Sequence, residues 1–256
     1  MIVETVQDEF KQNSIVSIGL SGGSTPKPVY ENIFKGVPND LIPNLVIYLV
    51  DDRVVPSFSP FSNKSLIATC MSGSKFSHLS TTIEYDKDEK VIVGVLPVLK
   101  SCGSQVKALV FPETDIVHEL PSDIAERYSE ELEECLFPPS KGHHIVILGM
   151  GDDGHICSLF PPLSLSQLKE ERIVSATTTT RFDVKDRISI TIPFLQKHAK
   201  YVYLLLTEGK RKIFTKMMAD FEKVVDPSLL CARWPIMNLL KCNGGITDEI
   251  RTVFLK

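Results

Sequence analysis

Several features are scarce or absent in this 256-residue chain, and each absence removes a class of protein. There is one tryptophan, and the six cysteines (70, 102, 135, 157, 231 and 242) are scattered without a C-x-x-C. Scattered single cysteines argue against a disulfide framework or a zinc site and read as reduced intracellular thiols. Positive charge is not in excess: 28 Lys and Arg face 32 Asp and Glu, for a net charge of -4. No nucleic acid and no anionic membrane would be held by bulk electrostatics. A small anionic ligand stays compatible, because a pocket can be basic on an acidic protein. No apolar run approaches the ~20 residues that a membrane helix needs; Val91 to Leu99 is broken by Gly94 and Pro97. The opening MIVETVQDEF lacks the basic flank and apolar stretch of a signal peptide. Together these absences predict a soluble, cytoplasmic protein. A Walker A loop and a G-x-S-x-G nucleophile elbow are also missing.

What is present is ordinary for a folded protein: 43% hydrophobic and 23% charged residues. That excludes disorder for most of the chain, and the length favours a single domain over 1–256. Short apolar runs recur at 15–20, 45–50, 106–111, 144–148 and 201–206, the mark of strands covered on both faces. The run 187–192 alternates instead, with Ile188, Ile190 and Ile192 opposite Ser189 and Thr191. It predicts a half-exposed or site-lining strand. Helical spacing appears at 123–136 and 210–221. Strands alternating with helices predict an α/β fold with a mainly parallel sheet. Residues 71–100 are polar and weakly periodic, and read as a long excursion from the sheet.

Four motifs sit where strands should end. Ser21-Gly22-Gly23-Ser24-Thr25-Pro26 follows the first strand. Ser24 or Thr25 could cap a helix with Pro26 in its first turn, leaving N–H groups and a positive dipole end for a phosphate. An ordinary capped turn is the plain alternative. Asp51-Asp52-Arg53 follows the second strand. There Arg53 could grip a phosphate or carboxylate, or the triplet could be a solvated turn with an internal ion pair. Gly149 to Gly154 formally matches the dinucleotide fingerprint G-x-G-x-x-G. However, Asp152 and Asp153 would oppose a pyrophosphate, and Pro161-Pro162 would stop a crossover helix. The same loop sets His155 beside Asp153, a pairing suited to taking a proton from water; a turn-capping histidine is the bland reading. The other histidines (78, 118, 143, 144 and 198) lack such a setting. Arg187 and the Lys210 of Thr-Glu-Gly-Lys are more often solvated charges, but with the glycine loop they could complete a phosphate pocket.

The ordered set SGGSTP (21–26), DDRVVP with FSNKSL (51–66), GMGDDGHICSLFPP (149–162), RISITIPFL (187–195) and TEGKRK (207–212) resembles the 6-phosphogluconolactonases. These share a superfamily with glucosamine-6-phosphate deaminases. The resemblance implies a Rossmann-like three-layer α/β/α sandwich that hydrolyses 6-phospho-D-glucono-1,5-lactone in the pentose phosphate pathway, with no metal and no organic cofactor. By position, His155 would be the general base, Asp153 would orient it and Arg53 would contact substrate. Gly22, Gly23, Ser24, Thr25, Asp51, Arg187 and Lys210 would bind substrate or its 6-phosphate. Such domains also occur fused to glucose-6-phosphate dehydrogenase, so the resemblance admits that enzyme as a partner.

The departures are Asp52 where the family usually has Glu, the longer 71–100 stretch, a shorter start, and a poorly matching segment at 231–242. Ser158-Leu159-Phe160-Pro161 follows Asp-Gly-His without the acidic residue a deaminase would carry there. A non-catalytic sugar-phosphate sensor would need neither Asp153 nor His155. A nicotinamide dehydrogenase would rest on the formal glycine match alone.

Overall fold

The apolar runs become the strands of a covered sheet. The computed structural model describes residues 1–13, 15–57, 59–74, 76, 84–85, 91–92, 109–114, 119–136, 144–223, 226–240, 247 and 250–255. Six strands, β1 (Val16–Leu20), β2 (Leu45–Leu49), β6 (Leu109–Val110), β7 (His144–Leu148), β10 (Ala199–Thr207) and β11 (Ile250–Leu255), form one sheet in the order β11-β10-β7-β1-β2-β6. All its pairings are parallel. A second sheet, β3 (Asp51–Arg53), β9 (Asp186–Ile190) and β8 (Val174–Thr178), is antiparallel. A short antiparallel pair joins β4 (Glu84–Tyr85) to β5 (Val91–Ile92).

Alternation along the strands feeds two cores, one on each face of the large sheet. Val46 and Tyr48 of β2 and Val146 and Leu148 of β7 join one cluster. Leu45, Ile47 and Leu49 of β2 and Ile145 and Ile147 of β7 join the other. On that second face α1 (Ile2–Phe10), α2 (Lys27–Gly36) and α3 (Asn63–Met71) bury Val6, Phe34, Ile67 and Met71. The first face is covered by α4 (Pro121–Leu136), α6 (Ile192–His198), α7 (Arg211–Lys223) and α8 (Pro227–Arg233), while α5 (Leu165–Leu168) is one short turn. This is the expected α/β/α layering. No helix among the described residues is long and apolar enough to cross a membrane.

Three local expectations need correcting. The alternating run is not half-exposed: β9 ends at Ile190, Ser189 is fully buried, and Thr191 caps α6 by accepting the Phe194 N–H. The 149–162 segment covers Ser189, whose Oγ accepts from the Ser158 N–H at 3.3 Å, while Arg187 at the start of the run lines the site. Neither Ser24 nor Thr25 caps α2: the N-cap is Pro26 without a side-chain bond, and Pro28 lies in the first turn. Asp51-Asp52-Arg53 is no solvated turn. It forms β3, with Asp51 and Asp52 buried. The double proline does stop a crossover helix, since only the short α5 follows before β8. Most of the 71–100 excursion, with His78, Cys102, His118, His143 and Cys242, lies outside the described residues.

The chain begins in the middle of the sheet, at β1. It runs outward through β2 and β6, then returns to β7 and runs out the other way through β10 and β11. The order therefore reverses between β1 and β7, where the carboxyl ends of diverging strands open a crevice.

Candidate active site

Four adjacent strands send their following loops into that crevice: 21–26 after β1, β3 after β2, 149–155 after β7, and 207–210 at the end of β10. They enclose a cleft of ≈ 340 Å³, in the range that holds a small metabolite. Gly22, Gly23, Ser24, Thr25, Asp51, Arg53, His155, Arg187 and Lys210 all line it. Asp153 does not reach the cleft and sits behind His155. Sequence positions spread from 22 to 210 thus line one cleft.

On one wall, β3 pairs with β9 so that Arg53 lies opposite Arg187. Two guanidiniums side by side repel, and the burial of Arg187, followed by the Arg53 charge, lowers its affinity for its proton. An anion in the cleft would relieve both. Arg187 is only 5% exposed, and its Nε has no hydrogen-bond partner among the described residues. Asn63 ties this wall together. Its Oδ1 accepts from Arg53 Nη1 at 2.6 Å, and its Nδ2 donates to the Asp51 carbonyl at 2.8 Å. Gly22 makes room for it, because a Cβ there would lie 1.8 Å from Asn63 Oδ1.

Asp51 accepts a 2.7 Å bond from Ser158 Oγ, which links β3 to the 149–162 segment. Asp52 turns away from the cleft. Its carboxyl accepts from the backbone N–H groups of Arg53, Asn63 and Lys64 and from Ser62 Oγ, at the start of α3. Burial pushes it up to about 6 against those bonds. The shorter side chain at position 52 therefore anchors a helix rather than a ligand.

On the opposite wall, His155 Nδ1 lies 2.6 Å from Asp153 Oδ1. Burial would raise the Asp153 carboxyl, but hydrogen bonds from the His155 ring and backbone, with the Arg181 charge, hold it well below the usual carboxylate range. An ionised carboxylate only accepts, so Nδ1 carries the hydrogen, and in the neutral ring the lone pair is then on Nε2. This arrangement can take a proton from water. Arg181 pairs with the other oxygen, Asp153 Oδ2. Arg233 Nη1 donates to the Asp153 carbonyl at 2.7 Å, and its guanidinium carbon lies 4.0 Å from the Trp234 ring centroid. Gly154 has φ +89, and a Cβ there would come within 2.5 Å of the Trp234 ring. Position 154 thus requires glycine on two counts.

Lys210 Nζ lies 2.7 Å from the exposed Asp152, and Ser21 Oγ accepts from the Gly149 N–H at 3.2 Å. Phe160 and Phe182 pack on His155 at ring distances of 4.7 and 5.9 Å. Among the other described histidines, His144 is buried against Ser17 and His198 is half-buried, both remote from the cleft lining. No group of three or more His, Cys, Asp or Glu among the described residues is placed to hold a metal ion.

Sequence reasoning missed Asn63, Ser158, Arg181, Phe182, Arg233 and Trp234. Asn63 and Ser158 lay inside quoted motif strings, so a role was within reach. Arg181 and Phe182 directly follow a threonine tract, and Arg233 and Trp234 lie in the poorly matching segment. Only tertiary structure brings them to the site.

The family described as glucosamine-6-phosphate isomerases/6-phosphogluconolactonase matches residues 1–233. A Dictyostelium discoideum protein named "Probable 6-phosphogluconolactonase" is 28% identical over 239 residues, covering 93% of this chain and 86% of the relative. A Plasmodium falciparum protein named "Bifunctional glucose-6-phosphate 1-dehydrogenase/6-phosphogluconolactonase" is 24% identical over 244 residues, covering 83% of this chain and 23% of the relative. The crystal structure of a 6-phosphogluconolactonase from Shewanella baltica superposes with a TM-score of 0.69 at 20% identity, covering 99% of this chain and 88% of that one. At that identity it shows the shared fold.

Proposed function

The chain belongs to the glucosamine-6-phosphate isomerase/6-phosphogluconolactonase family, and from that premise we propose that it hydrolyses 6-phospho-D-glucono-1,5-lactone to 6-phosphogluconate. The observation that carries this reading is the Asp153–His155 pair facing a cleft that also holds Arg53, Arg187 and Lys210. The pair supplies a base, and the three cations suit a phosphorylated anion.

In the proposed reaction His155 Nε2 takes a proton from a water molecule as the water oxygen bonds to the lactone carbonyl carbon. The tetrahedral intermediate collapses by breaking the bond to the ring oxygen, which receives that proton from His155. The product is the open-chain acid, and no covalent enzyme intermediate forms. A δ-lactone is an activated ester, so one positioned base, worth about 10²–10⁴-fold, goes far. Asp153 orients the ring and Arg53 contacts the sugar. Arg187, Lys210 and the 22–25 loop hold the 6-phosphate, and Asp51 fixes the wall between them. No metal or organic cofactor enters this reaction. Residues 1–256 act as one domain in this reading, which also goes with a cytoplasmic location. The bifunctional relative makes glucose-6-phosphate dehydrogenase the first partner to test for association.

The test is the loss of 6-phosphogluconolactone, generated in situ and followed against its spontaneous hydrolysis. Acceleration that falls by about 10²–10⁴-fold in His155→Ala, with substrate binding retained, is the expected result. A variant with the wild-type kcat removes His155 from the mechanism. Ammonia release from glucosamine 6-phosphate would instead mark a deaminase.

A further inference from the structure

The loop between β8 and β9 (179–185) touches residues on both walls of the cleft. It is closed on itself: the Thr179 N–H donates to the Lys185 carbonyl at 3.1 Å, and the Arg181 N–H to Thr179 Oγ1 at 3.2 Å. From this short scaffold Arg181 reaches Asp153, and Phe182 reaches His155 and Arg187.

The Arg181 contact has a specific geometric consequence. A carboxylate rotates about its terminal torsion unless both oxygens are held. Asp153 Oδ1 accepts from His155 Nδ1 at 2.6 Å and from the His155 N–H at 3.1 Å. Arg181 holds Oδ2, and Arg233 holds the carbonyl of the same residue. Removing Arg181 releases Oδ2, so the carboxylate is then held only through its two bonds to His155, the residue it has to orient. Phe182 acts on the other wall. Its ring lies 6.0 Å from that of Phe160, and the Arg187 guanidinium sits over both at 5.0 and 5.5 Å. The Val184 carbonyl of the same loop accepts from Arg187 Nη2 at 3.3 Å. The loop therefore spaces the histidine from the buried arginine, and Phe182 does so while 45% exposed.

We propose that Arg181 and Phe182 are positioning residues. Arg181 locks Asp153 so that His155 presents one tautomer, and Phe182 holds the Arg187 guanidinium toward the substrate anion. The proposal rests on the lactonase reading for its kinetic consequences, while the tautomer of His155 can be read without turnover.

The experiment uses the full chain with 15N-labelled histidine, in wild-type form and as Arg181→Gln, Arg181→Lys, Phe182→Ala and Phe182→Tyr. Arg181→Gln is expected to lower kcat about tenfold with KM nearly unchanged, the scale of a slightly misplaced catalytic group. Arg181→Lys, which keeps the charge, should recover most of the loss. The neutral His155 ring should show the Nδ1–H pattern in the wild type and a mixture of tautomers in Arg181→Gln. Phe182→Ala should raise KM about fivefold with little change in kcat, the size of a lost cation–π contact, and Phe182→Tyr should restore it. Wild-type kcat and an unchanged tautomer in Arg181→Gln would overturn the role of Arg181. A fall in kcat with the tautomer unchanged would overturn its positioning mechanism, and an unchanged KM in Phe182→Ala would overturn the role of Phe182. If the wild-type protein does not accelerate lactone loss, the reading of the reaction fails instead. The tautomer measurement then decides the positioning proposal alone.

Discussion

Asp51–Asp52 follows strand β2 and Asp152–Asp153 follows strand β7, and the two doublets are held by different kinds of donor. The first is met by neutral groups: backbone N–H groups, the hydroxyls of Ser62 and Ser158, and the Asn63 amide. The second is met by cations as well: Lys210 on Asp152 and Arg181 on Asp153, which also accepts from the His155 ring and backbone N–H. The consequences are opposite. Burial raises Asp52 to about 6, whereas Asp153 is held well below the usual range. Neutral donors satisfy a buried carboxylate without cancelling its charge, so they build a rigid anchor whose ionisation stays costly. Cations keep a carboxylate ionised, and an ionised carboxylate can fix a histidine. The same dipeptide therefore serves structure in one place and, in our reading, chemistry in the other.

The largest effect that would sharpen this contrast is expected at Asp153. Asp153→Asn keeps the shape but allows the amide to face His155 with its nitrogen, which favours the wrong tautomer. Loss of kcat on the order of 10²-fold is expected from initial rates at saturating lactone. A kcat within twofold of wild type would break the contrast, because the second doublet would then also be only structural.

The second effect is on stability and runs the other way with pH. For Asp52 the folded carboxyl titrates at about 6 and its ordinary value is 3.8. A raised carboxyl binds its proton more tightly in the folded state. Its contribution is therefore complete below about pH 4 and lost as pH rises through about 6. The loss is about 3 kcal/mol, at about 1.4 kcal/mol for each pH interval between the two values. Asp52→Asn cannot ionise. In urea unfolding across pH 4 to 6, the variant should gain on the wild type as pH rises, by an amount of that order. A constant difference across the window would show that the neutral donors fully offset the burial. Asp153 has the opposite sign: its contribution is present above the ordinary carboxylate range and lost in stronger acid.

Much of this arrangement was legible in the chain. The five continuous apolar runs predicted strands of the parallel sheet because burial on both faces leaves no polar alternation to confuse the reading. The glycine and charge motifs were legible because sites in such sheets gather at strand ends, so position in sequence nearly gives position in space. The failures have physical causes. Ser189 looked solvent-facing because a sequence does not say that the distant Ser158 segment will cover it. Ser24 and Thr25 looked like caps, yet the helix starts after them with Pro26 as its N-cap. Asp51 and Asp52 looked solvated because the donors that bury them, Asn63 and Ser158, are distant in sequence. Arg181 and Arg233 were illegible, since an arginine reaching back to a loop tens of residues away leaves no periodic trace.

A third effect concerns the backbone that carries the second doublet. Gly154→Ala places a Cβ against the buried Trp234 ring at a φ of +89. A destabilisation of about 1–3 kcal/mol is expected for such a conformation and is read as a fall in Tm. Because Trp234 is fixed by its Nε1 bond to Asp220 at 2.9 Å, the loop rather than the ring should give way. The kcat should then fall together with Tm. A drop in Tm with full activity would mean that His155 tolerates displacement of its loop.

The smallest effects test whether the cations of the second doublet are shared with the substrate. Lys210 lies 2.7 Å from Asp152, whose side chain is 90% exposed. An exposed pair of this kind contributes about 0–1 kcal/mol, so neither partner matters much to stability. If Lys210 holds the 6-phosphate, Lys210→Ala should raise KM about tenfold and leave Tm nearly unchanged, since a charge-assisted contact is worth somewhat more than a neutral one. Asp152→Asn should do the reverse on a smaller scale. In the free protein Asp152 competes with the phosphate for the Lys210 ammonium, and in the complex the two anions repel. Neutralising it removes both penalties, so KM should fall by about two- to threefold at low salt, with the difference shrinking as ionic strength rises. A rise in KM would mean that Asp152 aims Lys210 at the phosphate rather than competing for it, and the doublet would then be functional at both of its residues.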